Sequence, residues 1–126
     1  MAKDSGAAAL VYGLTRCDTC VKARKWLDAN DMAYRFVDYR DQPVEPETLA
    51  AWAQQLGGWD KLVNRASTTW RNLAPALREP ADDAAWQALI ASYPTLVKRP
   101  VLATPDGTVS VGFKDVRWAE RFGLGT

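Results

Sequence analysis

The chain has 126 residues, 48% of them hydrophobic, and a formal net charge of +1 from 16 Lys and Arg against 15 Asp and Glu. That length suits one domain spanning 1–126 with a sizeable core, and the near-neutral balance without a Lys/Arg block excludes bulk attraction to nucleic acid. There is no histidine, which removes Cys-His pairs, Ser-His-Asp triads and imidazole metal ligands.

The start, Met1-Ala-Lys-Asp-Ser-Gly6, lacks the apolar stretch and cleavage pattern of a signal peptide, and no apolar run approaches membrane-spanning length. These features predict a cytoplasmic monomer with reduced thiols, and neither a membrane nor nucleic acid as a direct partner.

In chain order, residues 7–14 read as a buried strand whose apolar run, Ala7 to Tyr12, ends at Gly13-Leu14-Thr15. A helical pattern follows, carrying Val21, Ala23, Trp26 and Leu27 before Asn30-Asp31 stops it. At the junction stands Cys17-Asp-Thr-Cys20, which holds both cysteines of the chain. A cysteine at the first turn of a helix meets unpaired backbone N–H groups and the positive end of the helix dipole, and both favour thiolate. Without imidazole, activation of Cys17 has to come from that terminus and from nearby cations, for which Arg16, Lys22 and Arg24 are the local candidates; Asp18 opposes it by like charge.

A Cys-x-x-Cys at a strand-to-helix junction, in a chain without secretory features, is the pattern of a thioredoxin-like redox motif. Cys17, nearer the helix start, is expected to be the exposed nucleophile, and Cys20, about one turn further in, the shielded thiol. Two thiols alone make a poor zinc site, so no metal is expected. As a structural disulfide the pair closes too short a loop to constrain the unfolded chain much. The bland alternative is two small apolar residues packed at a helix start, which predicts an unperturbed thiol.

Residues 33–39 give a second strand, rich in aromatic and branched residues, and complete a parallel crossover that leaves the thiols at the carboxyl edge of the sheet. Pro46 opens a helix bearing Leu49, Trp52, Ala53 and Leu56, ended by Gly57-Gly58. A less regular stretch runs from Trp59 to Arg78. Asp82 or Asp83 then caps a helix that places Trp86, Leu89, Ile90 and Tyr93 on one face and stops at Pro94. The tryptophans read as core. After Lys98-Arg99-Pro100 the pattern returns to β, with Val101-Leu102-Ala103, a Thr-Pro-Asp-Gly turn, then Thr108 to Val111 and Gly112-Phe113. Asp115 is expected to cap a last helix carrying Val116, Ala119 and Phe122. The order is β-α-β, a helical insert at about 45–93, then β-β-α.

This order, the Cys-x-x-Cys at the first helix and a proline directly before the third strand resemble the thioredoxin fold. More narrowly, the chain resembles the arsenate reductase-related (ArsC/Spx/MgsR) family, nearest its YffB-like branch. The matching residues are Tyr12-Gly13, Cys17-Asp-Thr-Cys20 with Lys22-Ala-Arg-Lys-Trp-Leu27, Tyr34-Arg-Phe36, Asp38-Tyr-Arg40, Thr68-Thr-Trp-Arg71, Lys98-Arg-Pro100 and Gly112-Phe113, so that the resemblance runs from about residue 9 to 122.

The resemblance implies an α/β fold, a thioredoxin/glutaredoxin-like mixed four-stranded sheet. It makes Cys17 the nucleophile toward arsenate or a disulfide, and Cys20 the second thiol of a reversible switch. It makes Arg99 an oxyanion ligand and puts a cis bond before Pro100. The reductases place further arginines near the anion. Arg65 matches one, displaced by about one position, and Lys114 stands where another is expected, a point charge in place of a bidentate fork.

Two functions follow from the resemblance. The first is a glutathione-linked thiol reductase or arsenate reductase-like enzyme, acting on a small thiol or oxyanion with glutathione as co-substrate and no tightly bound cofactor. The alternative is an Spx-type redox-sensing regulator whose Cys17-Cys20 disulfide alters binding to RNA polymerase.

Overall fold

β1 (Ala9–Gly13), α1 (Asp18–Ala29) and β2 (Tyr34–Asp38) lead the chain in a computed structural model that describes residues 8–124. Then come α2 (Pro46–Leu56), α3 (Trp59–Leu62), α4 (Thr68–Arg71), a 3-10 turn (Pro75–Arg78), α5 (Asp83–Ser92) and a second 3-10 turn (Pro94–Leu96). β3 (Val101–Ala103), β4 (Val109–Val111) and α6 (Asp115–Arg121) close the order. The chain divides into two units, one ending at Asp38 and resuming at Arg99, the other spanning Tyr39–Lys98. Among the described residues no helix is long and apolar enough to cross a membrane.

In the first unit the strands lie in the order β2-β1-β3-β4. β1 runs parallel to β2, with Val11 opposite Phe36, because α1 returns the chain to the starting edge before β2 begins. β1 pairs antiparallel with β3, and β3 with β4. This is the mixed four-stranded sheet that was expected. β1 starts at Ala9, with Ala8 before it outside the strand; Ala7 and the start at Met1-Gly6 lie outside the described residues. Leu14 has left the strand, since its carbonyl accepts the Cys17 N–H at 3.2 Å.

Along β1 the buried residues alternate as Ala9, Val11 and Gly13. Ala9 and Val11 join Ala23, Leu27, Leu102 and Trp118 in one core cluster, with Trp26, Met32, Phe36, Phe113 and Phe122 packed on it. Trp118 corrects the reading of the last helix. It is 2% exposed while Val116 is 65% exposed. Its ring stands edge-on to Phe113 at 4.9 Å and its N–H donates to the Gly112 carbonyl at 3.2 Å. The N-cap of α6 is Lys114, and the Asp115 carboxylate accepts the Val116 N–H at 2.8 Å.

In the β3–β4 turn, Asp106 Oδ1 accepts from Thr104 Oγ1 at 2.6 Å and from the Thr108 N–H at 3.0 Å. Gly107 there takes φ +88°, the left-handed region the turn requires. From α6, the Arg121 guanidinium reaches back to Thr104 Oγ1 at 2.7 Å and the Thr108 carbonyl at 2.9 Å.

The second unit is helical. α2 runs from Pro46 to Leu56 and is capped by Gly57 in the left-handed region, as the sequence predicts. The irregular stretch resolves into short pieces: Ser67 caps α4 by accepting the Trp70 N–H at 3.1 Å, and Pro75 opens a 3-10 turn. Asp82 caps α5 by accepting the Ala85 N–H at 2.9 Å. Tyr93 ends that helix and is exposed, not part of its apolar face. Trp52 and Trp70 are buried. Trp59, Trp86 and Trp70 form a near-parallel stack, with successive ring centres 5.9 and 6.0 Å apart.

Candidate functional site

The two sulfurs sit where β1 hands the chain to α1. Cys17 has extended backbone (φ −80°, ψ 126°) and is the N-cap of α1, so its side chain projects beside the unpaired N–H groups of the first turn. Its carbonyl accepts the first helical bond, from Val21 N–H at 2.8 Å. The thiol is half-buried, and no capping hydrogen bond closes on it in its neutral form; neutral sulfur is a weak acceptor. Ionisation changes that. Burial pushes the Cys17 pKa up, but the Cys20 N–H and thiol, the Arg99 guanidinium and the Thr19 N–H all act on the sulfur, and together they hold it below the ordinary value.

Cys20 has the opposite character. It is fully buried, and burial first of all, with the neighbouring Cys17 sulfur, pushes its thiol up to about 11 against the lowering effect of the Leu14 N–H. At neutral pH, therefore, Cys17 is the thiol disposed to ionise, while Cys20 keeps its proton and offers an S–H donor beside it. Neither cysteine is in a disulfide.

Space for the buried thiol comes from Gly13, the last residue of β1. A Cβ built there would overlap Cys20 Sγ. Gly13→Ala is accordingly expected to cost about 1–3 kcal/mol of stability through overpacking, read as a lower urea midpoint at unchanged slope; an unchanged midpoint would show that the Cys20 sulfur moves aside freely.

Arg99 enters this unit at the head of β3. The Arg99-Pro100 bond is cis, as the resemblance implies. Pro100 is buried and its carbonyl accepts the Gly112 N–H at 2.8 Å. The Arg99 Nε is buried as well, and its guanidinium acts on both sulfurs. The structure thus gathers Cys17, Cys20 and Arg99, with Pro100 beside it.

The cations nearest in sequence do not do this work. Arg24 lies over the Phe36 ring, 4.4 Å from its centre, and Arg16 and Lys22 are exposed. The cation at the sulfur is Arg99, brought by β3 from far along the chain, which local reading cannot find and only the resemblance singled out. Lys114 is exposed at the start of α6. Arg65 belongs to the helical unit, where its guanidinium lies over Trp70, 5.6 Å from the ring centre. Among the described residues no group of three or more Cys, Asp or Glu is placed to hold a metal ion. A thiolate, a protonated thiol and a guanidinium in one place suit nucleophilic sulfur chemistry on an anionic or disulfide substrate.

Comparison with known proteins agrees with this chemistry. The ArsC family model matches residues 12–121. An uncharacterized protein of Haemophilus influenzae is 38% identical over 112 residues, 89% of this chain and 96% of that one. Among solved structures, the YffB protein is similar with a TM-score of 0.81 at 39% identity, covering 90% of this chain and 97% of its own. An arsenate reductase (ArsC) related protein from Brucella melitensis follows with a TM-score of 0.71 at 37% identity, covering 94% and 97%. A family match of that span, with relatives at this identity along nearly their whole length, means that the chain belongs to the ArsC family and has the thioredoxin-like fold of the arsenate reductase-related proteins.

Proposed function

We propose that the protein is a thiol-disulfide oxidoreductase with Cys17 as nucleophile. Family membership supports a thiol-based, reductase-like function. The observation that carries the finer reading is the asymmetry of the two sulfurs: Cys17 is an N-cap thiol drawn toward ionisation beside Arg99, and Cys20 is a buried thiol that retains its proton.

The Cys17 thiolate attacks a disulfide, forming a mixed disulfide and expelling one thiolate, which takes up a proton. Cys20, once deprotonated, or glutathione then attacks the Cys17 sulfur and releases the second thiol, leaving a new disulfide. With arsenate the first step expels water and forms a Cys17–arsenic bond, and the second thiol displaces arsenite. The two electrons come from the pair of thiols that end as a disulfide. Arg99, with Pro100 beside it, is the proposed anion contact; Arg16 and Lys114, exposed cations of the same unit, and Arg65 are assigned to substrate binding by the match to the reductases. The proposed setting is cytoplasmic and monomeric, with glutathione as co-substrate and no resident cofactor.

A Cys20 placed beside the nucleophile also supports the regulator reading, in which the Cys17-Cys20 disulfide is the signal and RNA polymerase the partner. Steady-state assays with glutathione plus arsenate or a small disulfide separate the two. Turnover is expected. Its absence with every such pair, alongside capture of RNA polymerase by the oxidised form alone, would overturn the enzyme reading in favour of the regulator. In the same assay Arg99→Ala is expected to slow turnover about tenfold to a hundredfold, the worth of a charge-assisted hydrogen bond. Arg99→Lys restores part of that, since it returns the charge without the fork. Equal rates in wild type and Arg99→Ala would remove Arg99 from the site.

A further inference from the structure

We propose that Asp38 is a positioning residue for Cys17, clamping through Thr15 the turn that carries the nucleophile. The sheet register sets Gly13, the end of β1, opposite Asp38, the end of β2. From there one carboxylate oxygen of Asp38, Oδ2, accepts both the Thr15 N–H at 2.9 Å and the Thr15 hydroxyl at 2.7 Å. Hydrogen bonds to an ionised carboxylate are stronger than neutral ones, and two from one residue fix both its backbone and its rotamer.

What Thr15 fixes is the turn between the sheet and the sulfurs. The Cys17 N–H bonds the Leu14 carbonyl at 3.2 Å, closing a turn that has Thr15 within it. The Leu14 N–H in turn acts on the Cys20 sulfur. Loosening Thr15 frees the turn on both sides and lets Cys17 drift from its N-cap place, where the first-turn N–H groups reach it.

Position and charge make opposite predictions here. If Asp38 mattered only as a negative charge, removing it would favour the Cys17 thiolate; if it holds the turn, removing it disfavours the thiolate. Asp38→Asn separates the two, because a neutral amide oxygen can accept the same pair of bonds.

This inference rests on Cys17 being the ionising thiol, so the test reads Cys17 itself and not turnover. Iodoacetamide alkylation of Cys17 in the full chain, followed by peptide mass against pH, gives the reactivity, with circular dichroism to confirm folding. Asp38→Ala is expected to slow alkylation at neutral pH about fivefold and to move the midpoint upward. Asp38→Asn is expected to stay at or above the wild-type rate. Thr15→Val, which keeps the backbone donor and loses the hydroxyl, falls between, and it carries the test if Asp38→Ala does not fold. Wild-type rates in both Asp38→Ala and Thr15→Val, or a faster Asp38→Ala, overturn the clamp. A wild-type midpoint at the ordinary cysteine value instead overturns the nucleophile reading itself.

Discussion

Cys17→Ser is expected to lower turnover about a thousandfold or more, because no second activated nucleophile replaces the lost sulfur. A serine hydroxyl at an N-cap is a good helix cap and a poor nucleophile without a base, and the chain has no histidine to act as one. The variant should therefore fold normally while losing the chemistry. The pH dependence follows from the two sulfurs. Cys17 is held below the ordinary value of 9.0, so wild-type alkylation rises with pH through a midpoint below 9.0, and Cys20 adds reactivity only toward about 11.

Cys20→Ser replaces the S–H that supports the Cys17 thiolate, and the midpoint should move according to how well the serine hydroxyl donates in its place. Turnover that persists in Cys20→Ser with glutathione assigns the second step to glutathione. Turnover that survives Cys17→Ser would remove the mechanism as written.

Trp118→Ala is expected to cost about 3–5 kcal/mol, the usual toll of emptying a buried aromatic site. Trp118 is 2% exposed and packs edge-on against Trp26 and Phe113, so both rings lose a face of contact. The Gly112 carbonyl loses its indole donor as well. With total stabilities commonly about 5–15 kcal/mol, that loss should lower the urea midpoint markedly. A cost under about 1 kcal/mol would mean that the core does not depend on this ring. The damage should also reach the candidate site, since the Gly112 N–H holds the Pro100 carbonyl next to Arg99.

Periodicity made the long elements legible and left the short ones obscure. α1, α2 and α5 each show two or three turns of apolar spacing with a clear start or stop, and they lie close to where the sequence puts them. The stretch from Trp59 to Arg78 holds helices of four residues, too short to show a period. In α6 the spacing of Val116, Ala119 and Phe122 suggested a stripe that is displaced from the true one, because the large buried ring is Trp118. Tyr93 extended a good pattern past the end of its helix.

At the site, the Cys-x-x-Cys spacing and the helix start gave the asymmetry of the sulfurs from local chemistry alone. The partner cation did not follow in the same way. Arg16, Lys22 and Arg24 are neighbours in sequence, whereas Arg99 is a neighbour through β1–β3 pairing. Asp38 is among the residues that carry the resemblance, but its hold on Thr15 escaped for a related reason: an acidic residue at a strand end looks like ordinary solvated punctuation until the register sets it across from Gly13.

That same β1–β3 pairing joins Leu10 to Ala103 across most of the chain. A ribosome delivers β1, α1 and β2 long before it delivers Arg99, and contacts so distant in sequence form late. The nascent protein thus presents its cysteines while their guanidinium neighbour is still unmade. The share of the Cys17 pKa lowering that Arg99 supplies arrives only when β3 pairs with the sheet, near the end of synthesis.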